Sequence, residues 1–162
     1  MKNTVIAAAM VAASILTGCS SAPVQPVPEA DAILVQDAWV KAADHGMTAA
    51  FGRLSNSSAA DVRIVSATTA ASGRVELHEV VSVGGAMTMR PKDGGIVIPA
   101  NADVELTPGG DHLMLMDLTG PLLPGSDIEV IATLADGSTL PIAAQVRDFP
   151  GADEHYDPGT RG

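Results

Sequence analysis

Apolar residues recur along this chain in short runs, several of them alternating with polar ones, at intervals of roughly eight to twelve residues. A period of two puts alternate side chains on opposite faces of an extended strand. The pattern predicts strands over residues 33–40, 47–54, 62–67, 74–81, 87–90, 96–98, 103–106, 112–118, 127–134 and 139–146. Between them fall breaks rich in Gly, Pro and Asp: Gly84-Gly85, Lys92-Asp93-Gly94-Gly95, Pro108-Gly109-Gly110 and Ala135-Asp136-Gly137-Ser138. The last is a hairpin turn signal. No stretch keeps a helical period between caps. Many short strands with frequent turns predict an all-β domain, an antiparallel β-sandwich or small barrel.

The N-terminus follows a different rule. Lys2 precedes an apolar stretch over residues 5–16, which ends in Leu16-Thr17-Gly18-Cys19. A membrane-spanning helix needs roughly 20 apolar residues, so this stretch has the length of a signal h-region. Its ending resembles the bacterial lipobox, in which the cysteine is acylated and becomes the new N-terminus. Residues 1–18 are therefore expected to be a lipoprotein signal peptide and Cys19 the lipidation site. Residues 19–30, with Ser20-Ser21-Ala22-Pro23-Val24-Gln25-Pro26-Val27-Pro28, form a Pro-rich spacer. The folded domain is expected over 31–148 and a polar, loosely ordered tail over 149–162. Each buried acyl methylene contributes about 0.8 kcal/mol, and two or more chains anchor stably. The expected location is the bacterial cell membrane, anchored by lipid and facing the extracytoplasmic side.

Charge and composition narrow the partners. The chain carries 9 Lys+Arg against 19 Asp+Glu, a balance that repels phosphate backbones and speaks against nucleic acid. Cys19 is the single cysteine. Once acylated it leaves no thiol and no disulfide. Aromatic residues make up 2% of the chain, so Val, Ile, Leu and Ala must build the core.

Seven methionines are present, and Met1 and Met10 lie in the leader. Of the other five, Met87 and Met89 form one Met-Xaa-Met pair and Met114 and Met116 a second, just after His112. In a strand His112, Met114 and Met116 share one face, and Leu113 and Leu115 take the other. The leucines are the expected core face, which leaves the histidine and methionines on the opposite face or at the rim. By the same parity Val75 and Leu77 face the core while Glu76 and His78 share the polar side. Thioether and imidazole without thiol is the donor set preferred by Cu(I) over zinc, calcium or magnesium. The plain alternative is that methionine merely fills gaps in a core and that the histidines are ordinary surface residues. His45 and Met47 form a second candidate soft site, whose alternative is a loop residue beside a core or rim residue. His155, within Glu154-His155-Tyr156-Asp157, could take Cu(II), or belong to a solvated tail.

Taken together these residues resemble the PCu(A)C-type copper chaperones of the bacterial periplasm. Their signature is His, ten residues, Met, about twenty-one residues, then His-Xaa-Met. Here His78 is followed by ten residues and Met89, then by twenty-two residues and His112-Leu113-Met114. The flanking Val75-Glu76-Leu77-His78-Glu79, Met89-Arg90-Pro91, Ile98-Pro99-Ala100 and Pro108-Gly109-Gly110-Asp111 are also similar, as are Trp39 and the stretch 47–56. Asp111 departs from the aromatic or amide residue usual there. The resemblance implies a cupredoxin-like (immunoglobulin-like) antiparallel β-sandwich with a surface His2Met2 site for Cu(I), formed by His78, Met89, His112 and Met114. Met87 and Met116 are reserve thioethers. It further implies delivery to a cuproenzyme such as cytochrome c oxidase, or to a second copper chaperone, and no catalysis.

Rival classes fare worse. An electron-transfer cupredoxin needs a cysteine ligand, which the mature chain lacks. A hydrolase needs a nucleophile with its base and orienter, and Asp111-His112 has no nucleophile motif beside it. The remaining alternative is a structural or interaction lipoprotein without a metal.

Overall fold

The computed structural model describes residues 27–151 and 155–156. The signal segment, Cys19, Glu154 and Asp157 lie outside the described residues. Ten strands fall where the alternation predicts them: β1 (Ile33–Lys41), β2 (Met47–Asn56), β3 (Val62–Thr68), β4 (Ser72–Val83), β5 (Ala86–Pro91), β6 (Ile96–Ile98), β7 (Asp103–Leu106), β8 (His112–Leu118), β9 (Asp127–Leu134) and β10 (Thr139–Arg147). A two-residue β11 (His155–Tyr156) follows, and a 3-10 turn (Glu29–Ala32) leads into β1. The segment after 148, expected to be a loose polar tail, thus contributes a paired strand.

The strands hydrogen-bond in the order β11-β5-β4-β8-β2-β1-β10-β9-β3-β6, with β7 beside β2. This path folds over so that both halves bury into one core. Leu54 and Val40 from the middle meet Leu77, Leu113 and Leu115 from one half and Ile64, Ile98, Val130 and Ile142 from the other. The all-β, cupredoxin-like sandwich is the observed fold. It is antiparallel except at two pairings, β1 with β10 and β11 with β5, which run parallel.

Local chemistry sets the register that matters for the site. β4 and β5 are joined by Gly84-Gly85 alone, with φ of 59° and 88°. Two consecutive positive φ values suit a tight hairpin turn whose twist matches the strands, and glycine adopts them at no steric cost. The turn aligns Val83 with Ala86 and, further along, Val80 with Met89. On the other side of β4, an unbroken antiparallel ladder places His78 directly opposite His112 and Glu76 opposite Met114. β8 in turn pairs Met114 with Ala49 and Met116 with Met47 of β2.

Candidate metal centre

All five residues from His112 to Met116 are buried. Leu113 and Leu115 enter the main core, as their parity predicts. Met114 and Met116 turn to the other face of the sheet and form a second, smaller cluster with Met89, Ala49 and Phe51, against which Trp39, Val80 and Tyr156 pack. The expectation of a donor face on the surface or at the rim is corrected here. His78 is 0% exposed and His112 3%, because aromatic rings cover that face. Phe51 lies 6.0 Å from the His112 ring, Trp39 packs on Phe51 at 4.6 Å, and Phe149 packs on Trp39 at 5.1 Å. Tyr156 stacks on His78, with ring centroids 5.5 Å apart and planes within 7°.

The two imidazoles approach each other edge to face, 5.5 Å between centroids. Each has one nitrogen committed to a partner. His112 Nδ1–H donates to the carbonyl of Gly110, 3.0 Å away, so that Nε2 carries the lone pair. His78 Nε2–H donates to the Glu76 carboxylate at 2.9 Å. That leaves His78 Nδ1 as the lone-pair nitrogen, buried and without a hydrogen-bond partner among the described residues. Leaving a buried polar atom unsatisfied costs roughly 1–3 kcal/mol, a cost that a ligand at that nitrogen removes. Commitment of the far nitrogen to a carboxylate or carbonyl is the arrangement that orients metal-binding histidines.

Electrostatics favour the neutral form of His78. Burial lowers the proton affinity of His78, and the hydrogen bond and charge of Glu76 only partly offset it. For Glu76, burial acts to raise the pKa, but the hydrogen bond and charge of His78 and the nearby Arg74 outweigh it, and the net shift is downward. The contact at neutral pH is therefore a neutral imidazole donating to a carboxylate.

The loop before His112 is pinned on both sides. Gly110 packs so closely on Thr107 that a Cβ there would meet the Thr107 hydroxyl at 2.9 Å. Asp111, the residue that departs from the family pattern, forms an ion pair with Lys92 at 3.2 Å, and Lys92 also reaches Glu79 at 3.3 Å. Glu79 holds Arg90 at 2.9 Å, tying this loop to β4 and β5.

His78, Met89, His112 and Met114 are thus brought together from three strands. A cleft of about 430 Å³ opens beside them, with Met47, Met89, His112, Met114 and Tyr156 among its walls. Of the reserve residues, Met116 belongs to the buried cluster, whereas Met87 is 51% exposed and outside it. Met47 is 42% exposed at the cleft wall, and His45 is exposed in the loop ahead of it. His155 stands opposite Thr88 in β11. Among the described residues no group of three or more His, Cys, Asp or Glu side chains gathers into a metal site. The donors assembled here are imidazole and thioether. Sequence reasoning gave no role to Glu76 or Tyr156 at this site. One signal was available for Tyr156: the chain has only four aromatic residues, Trp39, Phe51, Phe149 and Tyr156.

A cupredoxin-like sandwich with two histidines and a methionine cluster buried on one outer sheet face defines a class, and the comparisons agree with it. The chain belongs to the LpqE-like family, described as "Putative lipoprotein LpqE-like", which matches residues 33–146. A protein of Leifsonia xyli subsp. xyli (strain CTCB07), "Putative lipoprotein Lxx21020", is 42% identical over 160 residues, covering 96% of this chain and 95% of that one. Among solved structures, the copper-bound PCuAC domain from PmoF2 superimposes with a TM-score of 0.61 at 20% identity, covering 73% of this chain and 94% of that one. The Cu(I) form of DR1885 from Deinococcus radiodurans does so with a TM-score of 0.55 at 28% identity, covering 75% of this chain and 84% of that one. Its apo form gives 0.57 at 29% identity, covering 90% and 98%. The likeness to the PCu(A)C-type family read from the sequence is borne out.

Proposed function

We propose that this protein is a membrane-anchored, extracytoplasmic copper metallochaperone that binds Cu(I) through His78, Met89, His112 and Met114 and passes it to a cuproenzyme such as cytochrome c oxidase, or to a second chaperone. The observation that carries the reading is the paired imidazoles of β4 and β8 beside two buried thioethers, with His78 Nδ1 buried and without a hydrogen-bond partner among the described residues. A gap-filling methionine cluster accounts for the packing but not for that nitrogen. The copper-bound domains of PmoF2 and DR1885 share the fold, which supports the same cargo here.

The donor set suits carriage. Thioethers are soft, neutral and do not titrate, and they escape the disulfide formation that would disable a thiol pair in an oxidising compartment. The cleft along Met89, His112 and Met114 gives an acceptor access to the donors one at a time. Cu(II) has nitrogen donors at the same site or at His155. Lipidation at Cys19 holds the carrier at the membrane surface without a span, where membrane-bound acceptors are concentrated. Carriage of this kind requires no nucleophile, base or orienter.

Anaerobic titration of the purified protein with Cu(I) against a chromophoric chelator tests the reading. One Cu(I) per chain with nitrogen and sulfur scatterers in X-ray absorption is expected; no competition with the chelator would overturn it and favour an interaction lipoprotein without a metal. Cys19→Ala should abolish lipid labelling and membrane retention. Normal retention of that variant would remove the anchor.

A further inference from the structure

His78 sits between two groups that the four-donor set does not include. The Glu76 carboxylate, its side chain only 12% exposed, accepts Nε2–H of His78 at 2.9 Å and the Tyr156 hydroxyl at 3.3 Å through the same oxygen. Its other oxygen accepts from Arg74 Nε at 3.1 Å, and Arg74 in turn reaches Asp117 at 3.1 Å. The Tyr156 ring lies flat against the His78 ring, and its backbone is paired opposite Met89. Tyr156 therefore touches the imidazole through its ring, the orienting carboxylate through its hydroxyl, and the strand of a thioether donor through its backbone.

A neutral imidazole has one N–H and one lone pair, and the partner of the N–H decides which nitrogen is available to a metal. We propose that Glu76 and Tyr156 are positioning residues for copper: Glu76 fixes His78 in the Nε2–H tautomer so that Nδ1 is the binding nitrogen, and Tyr156 clamps the ring and carboxylate in that arrangement. His112, committed through Nδ1 to Gly110, offers the opposite nitrogen. The pair is thus asymmetric, one histidine binding through Nδ1 and the other through Nε2. Part of the site is supplied from beyond the strands that carry the donors, by the C-terminal segment. This inference rests on the copper reading for its consequence, but its structural half is testable without metal.

The first readout is the tautomer of His78 in the metal-free full-length protein, purified in detergent, from long-range proton–nitrogen NMR correlations at pH 7.5. The Nε2–H form is expected. Glu76→Leu should lose it, and Glu76→Gln, whose amide oxygen still accepts the proton, should keep it. Removing such an orienting partner costs about 10–100-fold in metal affinity, so Cu(I) binding should fall by that factor in Glu76→Leu and recover in Glu76→Gln. Tyr156→Phe keeps the stack and should hold the tautomer. Tyr156→Ala uncovers the ring and should raise the rate at which diethyl pyrocarbonate modifies His78 in the metal-free protein several-fold; it tests the same clamp should Glu76→Leu not fold. An Nδ1–H tautomer in the wild type, an unchanged tautomer in Glu76→Leu, or unchanged reactivity in Tyr156→Ala would each overturn the proposal. A wild type that binds no Cu(I) yet shows the Nε2–H tautomer would instead remove the copper reading and leave the clamp standing as a structural device.

Discussion

The two buried clusters of this protein are made of different materials. The main core, from Ile33 to Val146, contains only aliphatic side chains among its buried members. The small cluster on the other face of β8 holds Met89, Met114 and Met116 with Phe51, and Trp39 and Tyr156 pack on it. Phe149, the fourth aromatic residue, packs on Trp39. A chain using methionine and aromatics as general filler would have spread them through the larger core, where irregular gaps are most numerous. Here the aliphatic residues make the sandwich, and the buried methionines gather with the aromatic residues near two histidines. Composition separates the part that folds from the part that binds under the proposed function.

That separation can be broken experimentally, and the largest effect should come from the aliphatic side. Leu115 is 0% exposed, and Leu115→Ala should cost about 2–5 kcal/mol in urea unfolding; a loss below about 1 kcal/mol would show that the main core does not carry the fold. Next is the double change Met89→Leu, Met114→Leu. Each swap conserves volume and should cost less than about 1.5 kcal/mol of stability. Cu(I) affinity should nevertheless fall by about a hundredfold or more, roughly 2.7 kcal/mol, and an unchanged affinity would move the site elsewhere.

A smaller effect comes from protons. His78 has a pKa below its ordinary value because it is buried, against the partial offset of Glu76. An unfolded histidine titrates near 6.5, so on acidification the unfolded chain takes up the proton first. The stability that comes from this difference is complete above about 6.5 and is lost as pH falls below it toward the folded value. Unfolding midpoints of the metal-free protein should therefore drop between pH 7.5 and 5.5, a range that stays above the carboxylate titrations, and His78→Phe should flatten that drop. An equally steep fall in the variant would assign it to other groups. The smallest effect is expected at Met47, half exposed at the mouth of the cleft. Met47→Leu should leave stability within about 0.5 kcal/mol and Cu(I) affinity at the wild-type value, and a marked loss of affinity would enlarge the donor set to five.

Much of the fold is legible in the alternation because each strand has one face in an aliphatic core and Gly-rich breaks end it. β6, β7, β8 and β9 coincide with their expected bounds. β4 runs longer than expected because its ladder with β5 continues to the Gly84-Gly85 turn. β11 could not be read, since two residues carry no period and their parallel pairing with β5 depends on where the chain has travelled. At the site, parity is legible and burial is not. His112, Met114 and Met116 share a face as expected, but nothing local announces that Phe51, Trp39, Phe149 and Tyr156 converge to cover it. The same gap explains Met87 and Met89. They share a parity, yet β11 lies against Met89 while Met87 runs on toward the hairpin end and stays exposed.

The unbroken ladder joining β5, β4 and β8 has one more consequence. The candidate donors stand in register on adjacent strands of one hydrogen-bonded ladder, so under the proposed function loading asks for little rearrangement of the backbone. Under the proposed function, an acceptor meets full and empty carriers with the same silhouette. It cannot tell them apart by outline, and empty copies compete with full ones for the same berth. Discrimination has to happen by touch at the donor cleft itself. The throughput of such a relay then depends as much on how fast spent carriers leave as on how tightly loaded ones hold their cargo.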